Sequence, residues 1–446
     1  MAGVGVTGSA NLRRSGELLA KGRQVLAGGT LGEFRLPPEV NMVFDRAEGV
    51  QMWDVDGNQY VDFLIGSGPM ILGHGHPAVT AAIHAQLAKG TTFFALNEPV
   101  LQLAERMVDA VPCGEQVRFT GSGSEAVSHA VRAARSFTGR DKVLRFEGGW
   151  HGVGDLALFG ARPREIGSYP TPVADSAGLP TGIGADVLVS RFNDAEQLRR
   201  LMAEHGSGVA AVIVEPLQRC ILPRAEFLAA TREVADEHGA VLIFDEVVTG
   251  FRLAWGGAQE RYGVLPDVAT YGKTITGGLP IAAICGSAEV LSVTDPWRPA
   301  DHPQRTVVSG TFGGYAAGAA AGLAVLDVLA EEGTYPRLHA MGQRIATEIA
   351  GMGRELGIPL LVGGEGPVLQ VLFTEEPEIV DYGSMLRADK QRAYRFGIEL
   401  IKRGLFVSPY EKIYLSAAHS DGDIDRLLSA AREVLPEVVA DAPTGG

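Results

Sequence analysis

Two polar side chains in this 446-residue sequence stand where short apolar runs end. Val241, Leu242, Ile243 and Phe244 predict a buried strand, and Asp245 and Glu246 follow at once. Residues 268–271 predict a second strand, which delivers Gly272 and Lys273 into a turn containing Gly277, Gly278 and Pro280. Open α/β sheets place their ligands beyond the carboxyl ends of parallel strands. A desolvated lysine there can lose its charge and form a Schiff base with a carbonyl. A carboxylate at a second strand end can hold a pyridine nitrogen protonated. Those two functions are what pyridoxal 5′-phosphate requires of a protein: a lysine to form the imine, and an acid that keeps the ring able to accept electrons.

Such a cofactor also needs a seat for its phosphate. Val117 to Thr120 predict a strand, and Gly121-Ser122-Gly123-Ser124-Glu125-Ala126 turns into a helix running to Phe137. Small residues at a helix N-terminus leave backbone N–H groups open to an anion, and the helix dipole adds to the attraction. Ser122 and Ser124 contribute hydroxyls. Residues 142–146 predict another strand, ending in Glu147-Gly148-Gly149-Trp150-His151-Gly152, and the buried run 209–214 ends in Glu215-Pro216.

The stretch 241–280 resembles the class-III, fold type I aminotransferases. Asp245-Glu246-Val247, Thr249-Gly250-Phe251-Arg252, Pro266-Asp267 and Gly272-Lys273 match that family's signature in order and spacing. Gly256-Gly257-Ala258-Gln259 and Thr276-Gly277-Gly278-Leu279-Pro280 are most similar to the glutamate-1-semialdehyde aminomutase subgroup and its transaminase relatives. The resemblance runs from about residue 15 to 435. It implies that Lys273 carries the cofactor and shuttles the substrate proton, and that Asp245 holds the pyridine nitrogen. It also implies that Ser122, Gly123 and Ser124 grip the phosphate, with Ser124 in place of the usual threonine. Trp150 and Val247 are expected on opposite ring faces, with His151 and Glu215 beside the ring. Thr311 matches a threonine that donates to the phosphate of the neighbouring subunit, which implies a homodimer with a shared active site. For the substrate, the resemblance points to Arg35 as carboxylate partner and to Ser67, Tyr410 and Glu411.

Departures from the family pattern bear on the reaction. Gly32 stands where a serine is usual, and Gly313-Gly314-Tyr315 replaces the usual Gly-Asn-Pro. These favour an aminotransferase working between an amino acid donor and a keto or aldehyde acceptor, an amino sugar or another biosynthetic amine being a candidate product. Arg35, Met70 and the long segment 160–185 favour an intramolecular aminomutase, and an amine epimerase would use the same lysine. All three stay open at this level.

The remaining sequence bounds the setting. A net charge of −14 with scattered acids and no cluster of Lys and Arg argues against nucleic acid as a partner. No apolar run approaches the roughly 20 residues of a membrane span. Cys113, Cys220 and Cys285 are odd in number and lack metal-ligand spacing, and His74 and His76 have no third ligand near them. The first residues lack signal-peptide features, so a cytoplasmic location is expected. The length predicts more than one core: an N-terminal segment 1–76 with a helix at 15–26 and a β-meander at 43–64, a large cofactor domain 77–330, and a C-terminal α+β domain 331–446. The expected fold is therefore α/β, fold type I, with a mostly parallel sheet flanked by helices. A smaller α+β domain is built from the N- and C-terminal segments. Residues 1–10 and the tail from Asp441 are expected to be disordered.

Overall fold

A computed structural model describes residues 11–440, so the two predicted disordered ends lie outside the described residues. Seven strands form the central sheet: β1 Gln116–Thr120, β2 Lys142–Phe146, β3 Val187–Ser190, β4 Val209–Val214, β5 Val241–Asp245, β6 Val268–Tyr271 and β7 Ala282–Gly286. Their spatial order is β1-β7-β6-β5-β4-β2-β3. β7 runs antiparallel to both of its neighbours, and every other pair is parallel. Every residue of β4 and β5 is buried, which is why these strands read as unbroken apolar runs instead of alternating ones.

Alternation still decides which layer each side chain joins. Ile213, Ile243 and Ile284 pack against Ala126, Ala130 and Ala134 of the helix Gly123–Thr138. Val212, Leu242 and Phe244 face the other way, toward Phe227 and Val234 of the helix Ala225–His238. Each such isoleucine or phenylalanine contributes roughly 1.5–3 kcal/mol by burial. With both faces covered, the open carboxyl edge of the sheet is where polar side chains can gather. Thr120, Phe146, Val214, Asp245 and Tyr271 all end their strands there.

The two ends of the chain meet in a second sheet. Phe44–Glu48, Gln51–Asp54 and Gln59–Asp62 form the predicted antiparallel meander. Leu405–Phe406 then adds in parallel, pairing Leu405 with Val61 and Phe406 with Asp62. A third sheet joins Leu360–Glu365, Val368–Phe373 and Ile413–Tyr414, packed by the helices Thr334–Leu356 and Lys390–Lys402. Elements that were not predicted include β3, β7, the helix Ala195–His205 and the final helix Asp421–Ala440. In the last, Ile424, Leu427, Leu428, Ala431, Leu435 and Val438 lie on one buried face at helical spacing. Pro436 inside it obscures that pattern, because proline ordinarily ends a helix.

Candidate active site

A cavity of about 1070 Å³ opens at the carboxyl edge of the central sheet. β5 brings Asp245 to it and β6 brings Lys273, so the predicted pair lines one space. The Asp245 carboxylate is buried and held from three sides. One oxygen accepts from Thr270 Oγ1 at 3.1 Å and from the Val247 amide at 3.2 Å, and the other from His151 Nδ1 at 2.8 Å. Two carboxylate oxygens offer about four acceptor sites, so capacity remains for one more donor.

Glu246, the next residue, turns away from the cavity. It accepts from Thr249 Oγ1, from the Ala258 and Gln259 amides, and from Gln259 Nε2. Burial pushes its carboxyl up to about 7 against those hydrogen bonds. One acid of the pair thus serves the cavity, and the other ties down the helix Gly257–Tyr262.

Lys273 adopts a left-handed backbone (φ 44°), a conformation that costs a non-glycine residue free energy and is kept where the surroundings impose it. Its Nζ donates to the Ser67 carbonyl at 2.7 Å. Ile65, Gly66, Ser67 and Gly68 all have positive φ, so that carbonyl sits in a tightly wound turn. Arg252 binds the two turns together. It donates Nη2 to the Gly68 carbonyl and, at 2.8 Å, to Thr274 Oγ1, and donates Nε to the Val248 carbonyl at 2.7 Å. The Lys273 amine is pushed down to about 8, chiefly by burial and then by the charges of Lys412 and Arg252, which outweigh Glu215 and Asp245.

The phosphate-seat prediction falls on the N-terminus of the helix Gly123–Thr138. Ser122 is its N-cap and accepts from the Glu125 amide at 3.3 Å, leaving the first-turn amides of Gly123 and Ser124 outside the helical bonding pattern. The turn is packed tightly. A Cβ on Gly123 would meet Val247 at 3.1 Å, and one on Gly152 (φ 92°) would meet Ser124 Oγ at 2.4 Å. The Trp150 amide is held by Glu215 at 2.7 Å, and the Arg162 guanidinium lies over the indole at 4.4 Å.

Ser122, Gly123, Ser124, Trp150, His151 and Glu215 therefore share the cavity with Val247, Asp245 and Lys273. Of the residues expected to meet substrate, Ser67, Tyr410 and Glu411 line it too. One expectation is not met in this chain's own cavity. Arg35 is exposed on the surface loop between the short turns Ala27–Gly29 and Pro38–Val40, and it does not line the cavity. Its neighbour Phe34 packs edge-on against Phe406 of the N-terminal sheet, 6.2 Å between ring centroids. Thr311 is exposed and outside this cavity. Sequence reading missed Arg162, Arg219 and Lys412, all of which line the site. Arg219 donates to the carbonyls of Gly148 (2.7 Å) and Ala161 (3.0 Å). The one hint was position, since Arg219 closely follows Glu215 and Lys412 follows Glu411.

A central sheet of this order, carrying a lysine and an acid on neighbouring strand ends above a helix N-terminus, defines the class: fold type I, pyridoxal-phosphate-dependent transferases. The profile of the class-III aminotransferases matches residues 36–384, and the chain belongs to that family. It is 38% identical over 431 residues to a glutamate-1-semialdehyde 2,1-aminomutase of Desulfitobacterium hafniense, covering 95% of this chain and 98% of the relative. Among solved structures it superposes on an omega-transaminase from Sphaerobacter thermophilus with a TM-score of 0.89 at 33% identity, covering 97% and 99% of the two chains. A glutamate-1-semialdehyde-aminomutase from Pseudomonas aeruginosa gives a TM-score of 0.86 at 25% identity, covering 96% and 95%.

Proposed function

We propose that this class-III aminotransferase moves an amino group between two separate molecules, an amino acid donor and a keto or aldehyde acceptor. The observation that carries the reading is the placement of Lys273 and Asp245 in one cavity, each fixed from behind. The residues present fit pyridoxal phosphate: Asp245 keeps an acceptor site open, and the first-turn amides at 123 and 124 await an anion. When bound, the cofactor supplies an aldehyde carbon for the amine and an electron-accepting ring. Ser122, Gly123 and Ser124 would hold its phosphate. Asp245, oriented by His151 and Thr270, would keep a proton on the ring nitrogen. Trp150 and Val247, which line the same cavity, would cover the ring and exclude water, and Glu215 fixes the Trp150 backbone. Lys273 Nζ, neutral in a useful fraction because its pKa lies near 8, takes the proton from the substrate Cα.

A second reading, intramolecular transfer, draws support from the 38% identical relative, which is named an aminomutase. The exposed position of Arg35 and the glycine at position 32 weigh against it. The working division is 1–76, 77–330 and 331–446. A homodimer is proposed as well, in which Thr311 completes the partner's phosphate site. A cytoplasmic setting suits three cysteines that are all free, and no helix among the described residues is long and apolar enough to cross a membrane.

An amine-donor screen with and without an added keto acid tests the main reading, and turnover without any keto acid would sink it. Lys273→Ala should abolish both turnover and the visible absorption of the holoprotein. Asp245→Ala should keep the cofactor while turnover falls by about 100-fold or more. Near-normal turnover of either variant would overturn its assigned role.

A further inference from the structure

The chain is acidic overall, at −14, yet one wall of its cavity is basic. Arg162, Arg219, Lys390 and Lys412 all line it. Arg162 already has a partner, lying 4.0 Å from Glu411 and over the Trp150 ring. Arg219 and Lys412 differ. Arg219 is half-buried and donates only to the neutral carbonyls of Gly148 and Ala161, so no carboxylate offsets its charge. Lys412 is half-buried beside it and has no hydrogen bond or ion pair among the described residues. Glu215 is the acid whose charge bears on Lys412, but it lies beyond ion-pair distance and spends one oxygen on the Trp150 amide. Charges withdrawn from water without an ion-pair partner in contact cost free energy, and such a pair on a cavity wall suits an anion from outside.

We propose that Lys412, with Arg219 beside it, is the anion anchor of this cavity and binds a carboxylate or phosphate that the substrate carries away from its reacting amine. The proposal rests on the amino-transfer reading and narrows its substrate to an anionic amine. The cofactor's own phosphate is not the ligand meant, because the helix N-terminus at 122–124 serves that group. Nor does Arg35 compete for the role, since it stays on the surface. Burial disfavours the charged form of Lys412, but its surroundings, Tyr414 and the more distant Glu215 among them, leave its pKa raised, so the side chain is an ammonium.

The test uses the holoenzyme as wild type, Lys412→Met and Lys412→Arg. The first half-reaction is followed spectroscopically with 4-aminobutanoate, 3-aminopropylphosphonate and butylamine, and glutarate binding is measured by calorimetry. Wild type should prefer an anionic amine to butylamine. In Lys412→Met that preference should fall roughly 10- to 100-fold through KM of the anionic amines, with glutarate binding weakened to match, while any change in kcat from the loss of a cation near Lys273 should be shared by butylamine. Lys412→Arg should restore both. Whichever of the carboxylate and phosphonate amines is preferred identifies the anion. If Lys412→Met keeps the wild-type preference and glutarate affinity, or if wild type shows neither, the anchor is overturned, while reaction with butylamine would leave amino transfer standing. If no amine reacts but glutarate binding still depends on Lys412, amino transfer fails and the anchor stands.

Discussion

Asp245 and Glu246 are consecutive carboxylates with opposite tasks, one facing the cavity and the other bonded to the helix behind it. Lys273 shows the same economy, since one amine is fixed by the Ser67 carbonyl and tuned by burial and two nearby cations. Those influences lower its pKa, so the neutral, nucleophilic form grows as pH rises through about 8 and levels off beyond. Uptake of pyridoxal phosphate by the apoprotein should therefore accelerate with pH and bend near 8. In Lys412→Met the bend should move upward, because one repelling cation is gone. A rate still climbing in proportion at about pH 10, as for an ordinary lysine, would refute the assignment.

At the level of elements, two short turns carry the chemistry, and Arg252 ties one to the other beneath Lys273. Close packing of that kind recurs where the helix Thr334–Leu356 crosses the turn at Gly366. A Cβ on Gly342 would stand 1.8 Å from the Gly366 carbonyl oxygen. Gly16, in the helix Arg13–Val25, has nothing within 4 Å. Glycine to alanine in a helix normally gains up to about 1 kcal/mol. Gly16→Ala should raise the melting temperature accordingly, whereas Gly342→Ala should cost roughly 1–3 kcal/mol through overpacking. Equal stabilisation by both, read from urea unfolding, would show that the contact at 366 is not constraining.

For the whole molecule, the chain closes on itself where Leu405–Phe406 joins the N-terminal meander. It nevertheless leaves Phe94 (76%), Leu96 (78%) and Phe312 (58%) exposed, with Thr311 beside the last of them. Asn97 Nδ2 donates to the Gly314 carbonyl at 3.0 Å, so the two segments adjoin, and an apolar patch left in water marks a surface that another chain covers. In the proposed dimer, Phe94→Glu with Leu96→Glu should split the particle in sedimentation and weaken retention of the cofactor, since each phosphate site would lose its partner's Thr311. A wild-type monomer with full cofactor occupancy would exclude the shared site.

By itself the sequence determined the α/β class, the lysine and acid on their strand ends, and the serine-glycine turn at 121–126. Each of these is encoded within a few consecutive residues, where burial and turn chemistry are local. Only the tertiary structure decided that Asp245 and not Glu246 faces the cavity, that Arg35 stays outside it, and that Arg219 and Lys412 come together on its wall. Those outcomes depend on packing between segments far apart in the chain, and no spacing within either segment records which distant surface it will meet.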